Sequence, residues 1–426
     1  MRQNKLAMGS WAGEVRKCVT LAACFVALIL TGGCSDGADI APADVAKTAA
    51  ATRMPNLVII TLDTTRADAL SAYGQSRKTS PAFDRMAEEG VLFNAAMASS
   101  PETLPSHATI FTGKQPFGHG VRGNGGYVLA NEHLTIAEAM KAEGYATGAE
   151  IAAVVMQEST QIGQGFSTFR DTSSEGVKLQ AVFRERDGEV KAEVLLVRAA
   201  ADITDSGIEF VRDHRDEKFF IWLHYFNAHA PYSAAEPFSS QFPDSLYHAE
   251  VATQDFEMGR FVDELRNLGL ADNTLVVVAA DHGEGLLEHD ERTHSYFLYD
   301  STMRVPLLFW GLDALPKGKR IDSLVRNVDI APTALDLLGL YPLDNTDGVT
   351  LGPLLDGTSA DLKLTAYGEA NRMASTFKMS PLRFVREGKW KYIHKVNPEL
   401  YDMSADPGEL SNLYEAEPDV AARLFA

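Results

Sequence analysis

Cysteine is nearly absent from this chain of 426 residues, and the three it has, Cys18, Cys24 and Cys34, all fall in the first 34 positions. The rest of the sequence therefore has no disulfide framework, no thiolate metal site and no cysteine nucleophile. Positive charge is in deficit: 39 Lys and Arg against 58 Asp and Glu leave a formal charge of −19. A field of that sign repels phosphate, which excludes general binding to nucleic acid or to an anionic membrane surface. A small anionic substrate is still allowed, because a metal and a few local His or Arg side chains can reverse the sign inside a pocket. Internal repeats and long low-complexity tracts are absent. Long apolar runs are scarce as well. The candidate from Val19 to Leu30 has about a dozen residues, short for a membrane span.

What is present at the N-terminus reads as an export signal. Arg2, Lys5, Arg16 and Lys17 precede the apolar run, and TGGC ends at Cys34. The segment LILTGGCS resembles a bacterial lipoprotein cleavage site, with Thr31 where Leu is preferred. On that reading residues 1–34 are a signal peptide, Cys34 is lipidated, and the protein is held at the cell envelope, in the periplasm or at the outer membrane. Ordinary secretion and an uncleaved anchor are the alternatives. Residues 35–53 are small and polar, as expected of a flexible tether. The remainder suffices for one large α/β domain with an appendage, or for two ordinary domains.

NLVII (56–60), KFFIWLHYF (218–226), TLVVVAA (274–280) and VPLLFWG (305–311) are continuous apolar runs rich in β-branched and aromatic residues. They predict strands buried on both faces, as in a parallel sheet flanked by helices. YATGAEIAA predicts a weaker strand. PAFDRMAEEG, TIAEAMKAEG and EVATQDFEMGRFVDELRNLG read as helices closing on Gly90, Gly144 and Gly269 as C-caps. Strands alternating with helices give an α/β fold with a mostly parallel sheet covered on both sides. Ligands of such sheets bind outside the C-terminal strand ends. Asp63 follows the first run, His229 stands just beyond the second, and Asp281-His282-Gly283-Glu284 follows the third.

Two carboxylates and an imidazole, Asp63, Asp281 and His282, make a credible metal set; the carboxylates suit calcium, while His282 admits manganese or zinc. Each alone reads as a turn or cap residue, but matching strand ends would bring them together, and Gly283 permits a tight turn. Thr103, in PETLPSHATIFTG (101–113), has two readings. As an N-cap it opens a helix with Pro105 in the first turn and Gly113 at the end. As a nucleophile, the same hydroxyl sits where helix N–H groups and the dipole favour an anion. A coordinated metal would lower its pKa.

The order of motifs then bears on the choice. NLVIITLDTTRADALSAYG, then TSPAFDRMAEEGVLFNAAMASSPETLPSHATIFTGKQPFGHGVRGNG, GFSTFRD, HYFNAHAPY, LADNTLVVVAADHGEG and YDSTMRVPLLFWG resemble the sulfatase family of the alkaline phosphatase superfamily. RFVREGKWKYI and ELYDMSADPGELSNL resemble its small terminal subdomain, so the likeness runs from residue 54 to residue 413. The resemblance implies an alkaline-phosphatase-like sheet sandwiched by helices at 54–365 and a small C-terminal α+β subdomain at 366–426. It implies a divalent metal ion held by Asp63, Asp281 and His282, with Thr103 as metal-bound nucleophile. Its substrate would be a small or glycan-linked anionic ester.

Asn124, 21 positions beyond Thr103, falls where related phosphodiesterases and phosphonate hydrolases place an Asn that donates to a non-bridging oxygen; a plain turn residue is the alternative. His229 matches the His of the family's H-x-P segment, and His294 falls where many sulfatases carry a substrate-binding Lys. Both read as catalytic, binding substrate oxygens or protonating the leaving group, or as ligands of a second metal. Arg66 and Arg122 read either as substrate-binding or as ordinary salt-bridge residues, and His289 as substrate-binding or structural. His289 and His294 do not have the HExxH zinc spacing. Trp390 and Tyr392 read as packing for the terminal strands.

Three positions depart from the family pattern. Thr64 stands where many sulfatases have Asp, Thr103 where they have Cys or Ser, and His107 where they have Arg. Formylglycine sulfatases oxidise Cys or Ser to an aldehyde, which threonine cannot become because its β-carbon carries a methyl group. An ester on Thr103 must instead be opened by water at sulfur or phosphorus. The expectation is cleavage of phosphate mono- or diesters or phosphonate esters, or phosphoglycerol-type transfer. A sulfuric ester hydrolase of arylsulfatase type is the enzymatic alternative. A non-catalytic envelope lipoprotein binding anionic glycans is the alternative from another class.

Overall fold

The structure is a computed structural model that describes residues 54–183 and 194–426; the expected signal peptide, the tether and Cys34 lie outside the described residues. In chain order the first strands are β1 (Asn56–Leu62), β2 (Val91–Met97), β3 (Ala146–Ile151) and β4 (Thr168–Arg170). A short pair follows, β5 (Gln180–Phe183) and β6 (Val194–Val197). Then come β7 (Phe219–Tyr225), β8 (Thr274–Ala279), β9 (Arg304–Gly311), β10 (Lys319–Ile321) and β11 (Val325–Arg326). The last four are β12 (Thr365–Ala370), β13 (Leu382–Glu387), β14 (Trp390–His394) and β15 (Glu399–Asp402).

The main sheet runs β10-β2-β9-β8-β1-β7-β3-β4, with β11 also beside β2. Central β1 is parallel to both β7 and β8, and every residue of these three strands is buried. Burial on both faces is why their sequences are continuous apolar runs rather than alternating ones. Strand β9 is the exception to parallel order, running antiparallel to both β8 and β2. Its apolar run predicts a strand but carries no direction. The reversal brings the start of β9, not its end, to the edge where β1 and β8 finish.

The helices Pro81–Glu89, Ile136–Ala142 and Leu246–Asn267 match the three predicted segments. Gly144 and Gly269 are left-handed, with φ of 78° and 67°, as the C-cap reading requires. Gly90 is not: its φ is −124°. Glycine is needed there because an added Cβ would lie 2.3 Å from the Phe309 carbonyl oxygen of β9.

A second, antiparallel sheet is built as β12-β13-β14-β15. Phe384, Ile393 and Tyr401 of that sheet join the main hydrophobic core. Tyr392 packs with Leu400, Ala421 and Leu424, and half-buried Trp390 lies against this cluster. The Glu369 N–H donates to the Ser99 carbonyl at 3.0 Å, which ties β12 to the loop leading into Thr103. No helix among the described residues is long and apolar enough to cross a membrane.

Candidate active site

Strand ends place the acidic residues. After β1 the Asp63 N–H donates to the Tyr225 carbonyl at 2.9 Å, and Thr64 takes a left-handed φ of 53°. The Thr64 hydroxyl donates to the Asp63 carbonyl at 2.8 Å, so it serves the turn. After β8, Asp281 Oδ1 accepts from the N–H groups of His282 at 2.7 Å and Thr64 at 3.2 Å. Gly283 is fixed by space, since a Cβ there would lie 2.1 Å from the Ser301 carbonyl oxygen.

Asp63, Asp281 and His282 are all fully buried, with candidate ligand atoms within 4.8 Å of one another. Asp63 Oδ1 and Asp281 Oδ2 have no hydrogen-bond partner. Leaving buried carboxylate oxygens unpaired is costly. His282 Nδ1 lies 2.9 Å from the Gly283 carbonyl, to which it must donate. Nε2 is then unprotonated in the neutral ring and faces Asp281 Oδ2 at 3.4 Å. Two orphaned oxygens and an imidazole lone pair fit one divalent cation, with the backbone carbonyl orienting the ring. Among the described residues no other His, Asp and Glu group has this spacing.

Electrostatics agrees with that reading. Burial pushes the Asp63 carboxyl up to about 7, opposed by His282 and reinforced by Glu284. Burial and the neighbouring Asp63 raise Asp281. For His282 burial acts downward, but Asp281 and Asp63 outweigh it and the net shift is upward.

Thr103 is the first residue of the helix Thr103–Thr112, and Glu102 occupies the N-cap place without a side-chain capping bond. The capping role goes elsewhere: Asn124 Oδ1 accepts from the Leu104 N–H at 2.8 Å. Asn124's own N–H donates to Glu102 Oε2 at 3.1 Å. The Thr103 hydroxyl instead lies 3.5 Å from His282 Nε2, in a residue only 1% exposed. His107, one turn along, is fully buried, and burial lowers it to about 3.

His294 and His229 line up beyond His282. Ring centroids are 4.6 Å apart for His282–His294 and 5.0 Å for His294–His229. His229 stacks on Phe226 at 4.1 Å, and its Nδ1 donates to the Ala230 carbonyl at 2.6 Å. Burial first, then His294, lowers it to about 3.

Two supporting residues escaped the sequence reading. Glu284 holds His294 Nδ1 at 2.8 Å and accepts from the Tyr232 hydroxyl at 3.0 Å; burial pushes it up to about 7. His224 sits 3.1 Å from Asp63 Oδ2. The Ala152 N–H donates to its Nδ1, so the Nε2 proton points at Asp63. A histidine inside the apolar run of β7 was the available signal, and for Glu284 it was the DHGEG motif.

The remaining candidates have protein partners. Arg66 forks onto Asp68 and also reaches Glu288 at 2.7 Å. Arg122 forks onto Glu369 at 2.5 and 2.6 Å. His289 stacks on Tyr299 at 3.6 Å, with Nε2 3.1 Å from the Gly408 carbonyl. Arg66 and His289 line a cavity of about 240 Å³ whose walls include none of Asp63, Thr103, Asp281 or His282. Both arginines thus have carboxylate partners within the chain.

The family description "Sulfatase" matches residues 55–340, and "N-sulphoglucosamine sulphohydrolase, C-terminal" matches 289–424. The first spans more than half of the sequence, and the chain belongs to the sulfatase family. It is similar to the ulvan-active sulfatase of Formosa agariphila, 26% identical over 401 residues, which are 84% of this chain and 77% of that protein. It is 32% identical to mouse arylsulfatase K over 195 residues, 42% of this chain and only 34% of that protein's length.

Among solved structures, a protein in complex with its substrate D-glucosamine-2-N,6-O-disulfate superposes with a TM-score of 0.75. The two are 22% identical, with 88% of this chain and 96% of that one covered. The phosphonate monoester hydrolase of Agrobacterium radiobacter gives 0.70 at 22% identity, covering 86% and 93%. Both likenesses are of fold: the α/β sheet flanked by helices, with the small C-terminal sheet, is the one expected from the motifs.

Proposed function

We propose that this chain is a metal-dependent hydrolase of anionic esters in which Thr103 is the nucleophile. The reading favours phosphate mono- or diesters and phosphonate esters, or phosphoglycerol-type transfer to another alcohol. One observation carries it: the Thr103 hydroxyl is released from capping its own helix and turned towards His282 Nε2 at 3.5 Å. It stands beside two orphaned carboxylate oxygens, at a helix N-terminus suited to an anion.

Asp63, Asp281, His282 and the Thr103 hydroxyl would hold a calcium, manganese or zinc ion, whose charge would make the hydroxyl more acidic and offset the substrate anion. Thr103 gives up its hydroxyl proton to solvent, Oγ1 forms a bond to phosphorus as the bond to the leaving alkoxide breaks, and an imidazole charged beside the bound substrate anion, His229 or His294, supplies the alcohol's proton. Glu284 holds the His294 ring in place through Nδ1. Asn124, its Oδ1 engaged by Leu104, presents its amide N–H2 to a non-bridging oxygen. Water, or a second alcohol, then attacks the same phosphorus and releases Thr103 with its hydroxyl restored. Arg66 and Arg122 act in this scheme only through the carboxylates they already bind.

Sulfuric ester hydrolysis is the second reading, favoured by the similarity to an ulvan-active sulfatase over 84% of the chain. Aryl sulfate, phosphate monoester, phosphodiester and phosphonate ester substrates, assayed with added divalent cation, separate the two. Turnover of sulfate alone would refute the preference for phosphorus. Cation binding without any turnover would favour an envelope protein that only binds anionic glycans. We further place the protein at the bacterial envelope through a lipid on Cys34, with secretion as the alternative. Palmitate labelling lost in Cys34→Ser is the expected result, and unlabelled wild type in the medium would contradict it.

A further inference from the structure

His107 has no part in the scheme above, yet it is fully buried one turn from the nucleophile and both of its ring nitrogens are engaged. Nδ1 lies 2.8 Å from the Thr103 carbonyl oxygen, and Nε2 lies 3.0 Å from Thr61 Oγ1. A carbonyl can only accept, so Nδ1 carries the proton and Nε2 of the neutral ring accepts. Thr61 must therefore donate its single proton to His107. Its oxygen is left to accept from Trp222 Nε1–H, which stands 2.8 Å away. The result is a chain with one allowed direction at each link: Trp222 to Thr61, Thr61 to His107, His107 to Thr103. All four residues are at most 1% exposed, and the His107 ring packs against Trp222 and His224 at centroid distances of 5.2 and 5.1 Å.

The far end of this chain meets a second contact. The Thr103 carbonyl and the Leu104 N–H belong to one planar peptide unit. His107 donates to its oxygen, and Asn124 Oδ1 accepts from its nitrogen at 2.8 Å. A peptide plane held at both ends cannot turn about the Thr103 Cα–C bond. That bond sets how Thr103 Cβ, and so Oγ1, is aimed relative to the helix. No side-chain cap at Glu102 performs this task.

We propose that His107 is a positioning residue for the nucleophile. With Thr61 and Trp222 behind it, His107 clamps the 103–104 peptide so that the Thr103 hydroxyl stays directed at the Asp63, Asp281 and His282 cluster. The inference rests on the reading of Thr103 as nucleophile. It accounts for a histidine that is fully buried and whose Nδ1 stands 3.7 Å from Asp281 Oδ2, beyond hydrogen-bond range. Misaiming a reacting atom by a fraction of an ångström to an ångström costs one to two orders of magnitude in rate.

The test uses Thr61→Val, which removes a hydroxyl from β1, keeps side-chain volume and alters no residue of the active site. The probe is the 4-nitrophenyl ester that wild type hydrolyses fastest. We expect kcat to fall by about tenfold or more, with KM and divalent-cation affinity within about twofold of wild type. Thr61→Ser should restore most of the rate, and Trp222→Phe, which removes only the indole N–H, should show a smaller loss of the same kind. An unchanged kcat in Thr61→Val, or a loss confined to KM, cation affinity or melting temperature, would overturn the clamp. If Thr61→Val does not fold, His107→Phe, which keeps a ring and removes both of its nitrogens, gives the same comparison, and a wild-type kcat there overturns the proposal equally. Thr103→Ala keeps the two claims apart. Retained activity in it would sink the nucleophile, whereas an inert Thr103→Ala beside a fully active Thr61→Val would sink the clamp alone.

Discussion

Replacing Asp63 by Asn should make the metal-free protein more stable near pH 8 and the metal-loaded protein less so. Asp63 is fully buried, and Oδ2 takes the His224 proton while Oδ1 has no partner. Its carboxyl, ordinarily near 3.8, is held at about 7 in the folded chain. Between those values the folded chain keeps a proton that the unfolded chain has released, so stability falls as pH rises through the window and stays low above it. Integrated over the window this amounts to about 4 kcal/mol at most. Asparagine keeps an oxygen for His224 and has no charge to bury, but its own N–H2 is imperfectly satisfied, at a cost of about 1–3 kcal/mol. In chelator near pH 8 the variant should therefore gain about 1–3 kcal/mol over wild type, and near pH 4, where the amide cost outweighs the small penalty left on the carboxyl, it should be the less stable of the two. Added divalent cation should reverse the order. Wild type gains about 2.7 kcal/mol at a hundredfold excess over Kd, and the variant gains far less. Urea denaturation at the two pH values, with chelator and with manganese, measures all four quantities. A variant less stable than wild type in chelator at both pH values, with undiminished stabilisation by manganese, would refute the reasoning.

Asn124→Ala removes the acceptor for the Leu104 N–H and should cost about 1 kcal/mol of stability in urea melts, together with most of the turnover. Asn124→Asp should recover the stability but not the rate, since it puts a carboxylate oxygen where, on the proposed reading, an N–H2 would face the substrate. Glu284→Gln weakens the hold on His294 Nδ1. It should slow alkyl esters, which need a protonated leaving group, far more than 4-nitrophenyl esters; equal slowing of both would remove the leaving-group role. Lys391, fully buried between Asp300 at 2.7 Å and Glu409 at 2.8 Å, takes its charge from both acids when changed to Met, leaving Asp300 with Arg386 at 3.2 Å. The expected loss is about 3–5 kcal/mol in urea denaturation, and a loss below about 1 kcal/mol would contradict it.

How much of this was legible follows from the range over which each signal acts. Strands β1, β7, β8 and β9 announce themselves because burial on both faces forces unbroken apolar runs, and the residues at the ends of β1 and β8 follow from the same rule. The direction of β9 does not, because pairing with β2 and β8 is a property of the sheet and leaves no mark on the run. Strand β2 was missed because VLFNAAM is only partly buried, and β4, β10 and β11 are too short to show a period.

At the site, Thr103 could not be read locally, since a cap and a nucleophile look alike in sequence. The residue that takes over capping, Asn124, is brought in by the fold. Arg66 and Arg122 were equally undecidable. Arg122 finds Glu369 from 247 positions away, and Arg66 finds Glu288 from 222 positions away. The support that His224 gives to Asp63 crosses 161 positions. In this chain, short-range patterns locate the chemistry and long-range pairs decide which groups are left to perform it.

The central claim is that Thr103 itself carries the transferred group. A slowly turned-over phosphonate or phosphate ester, quenched in acid during steady state, followed by peptide mass mapping, tests it most directly. The account predicts a phosphoryl or phosphonyl adduct on the peptide containing Thr103, lost on incubation with divalent cation and absent from Thr103→Ala. Steady turnover with no adduct on that peptide, together with a Thr103→Ala variant of wild-type rate, would contradict it.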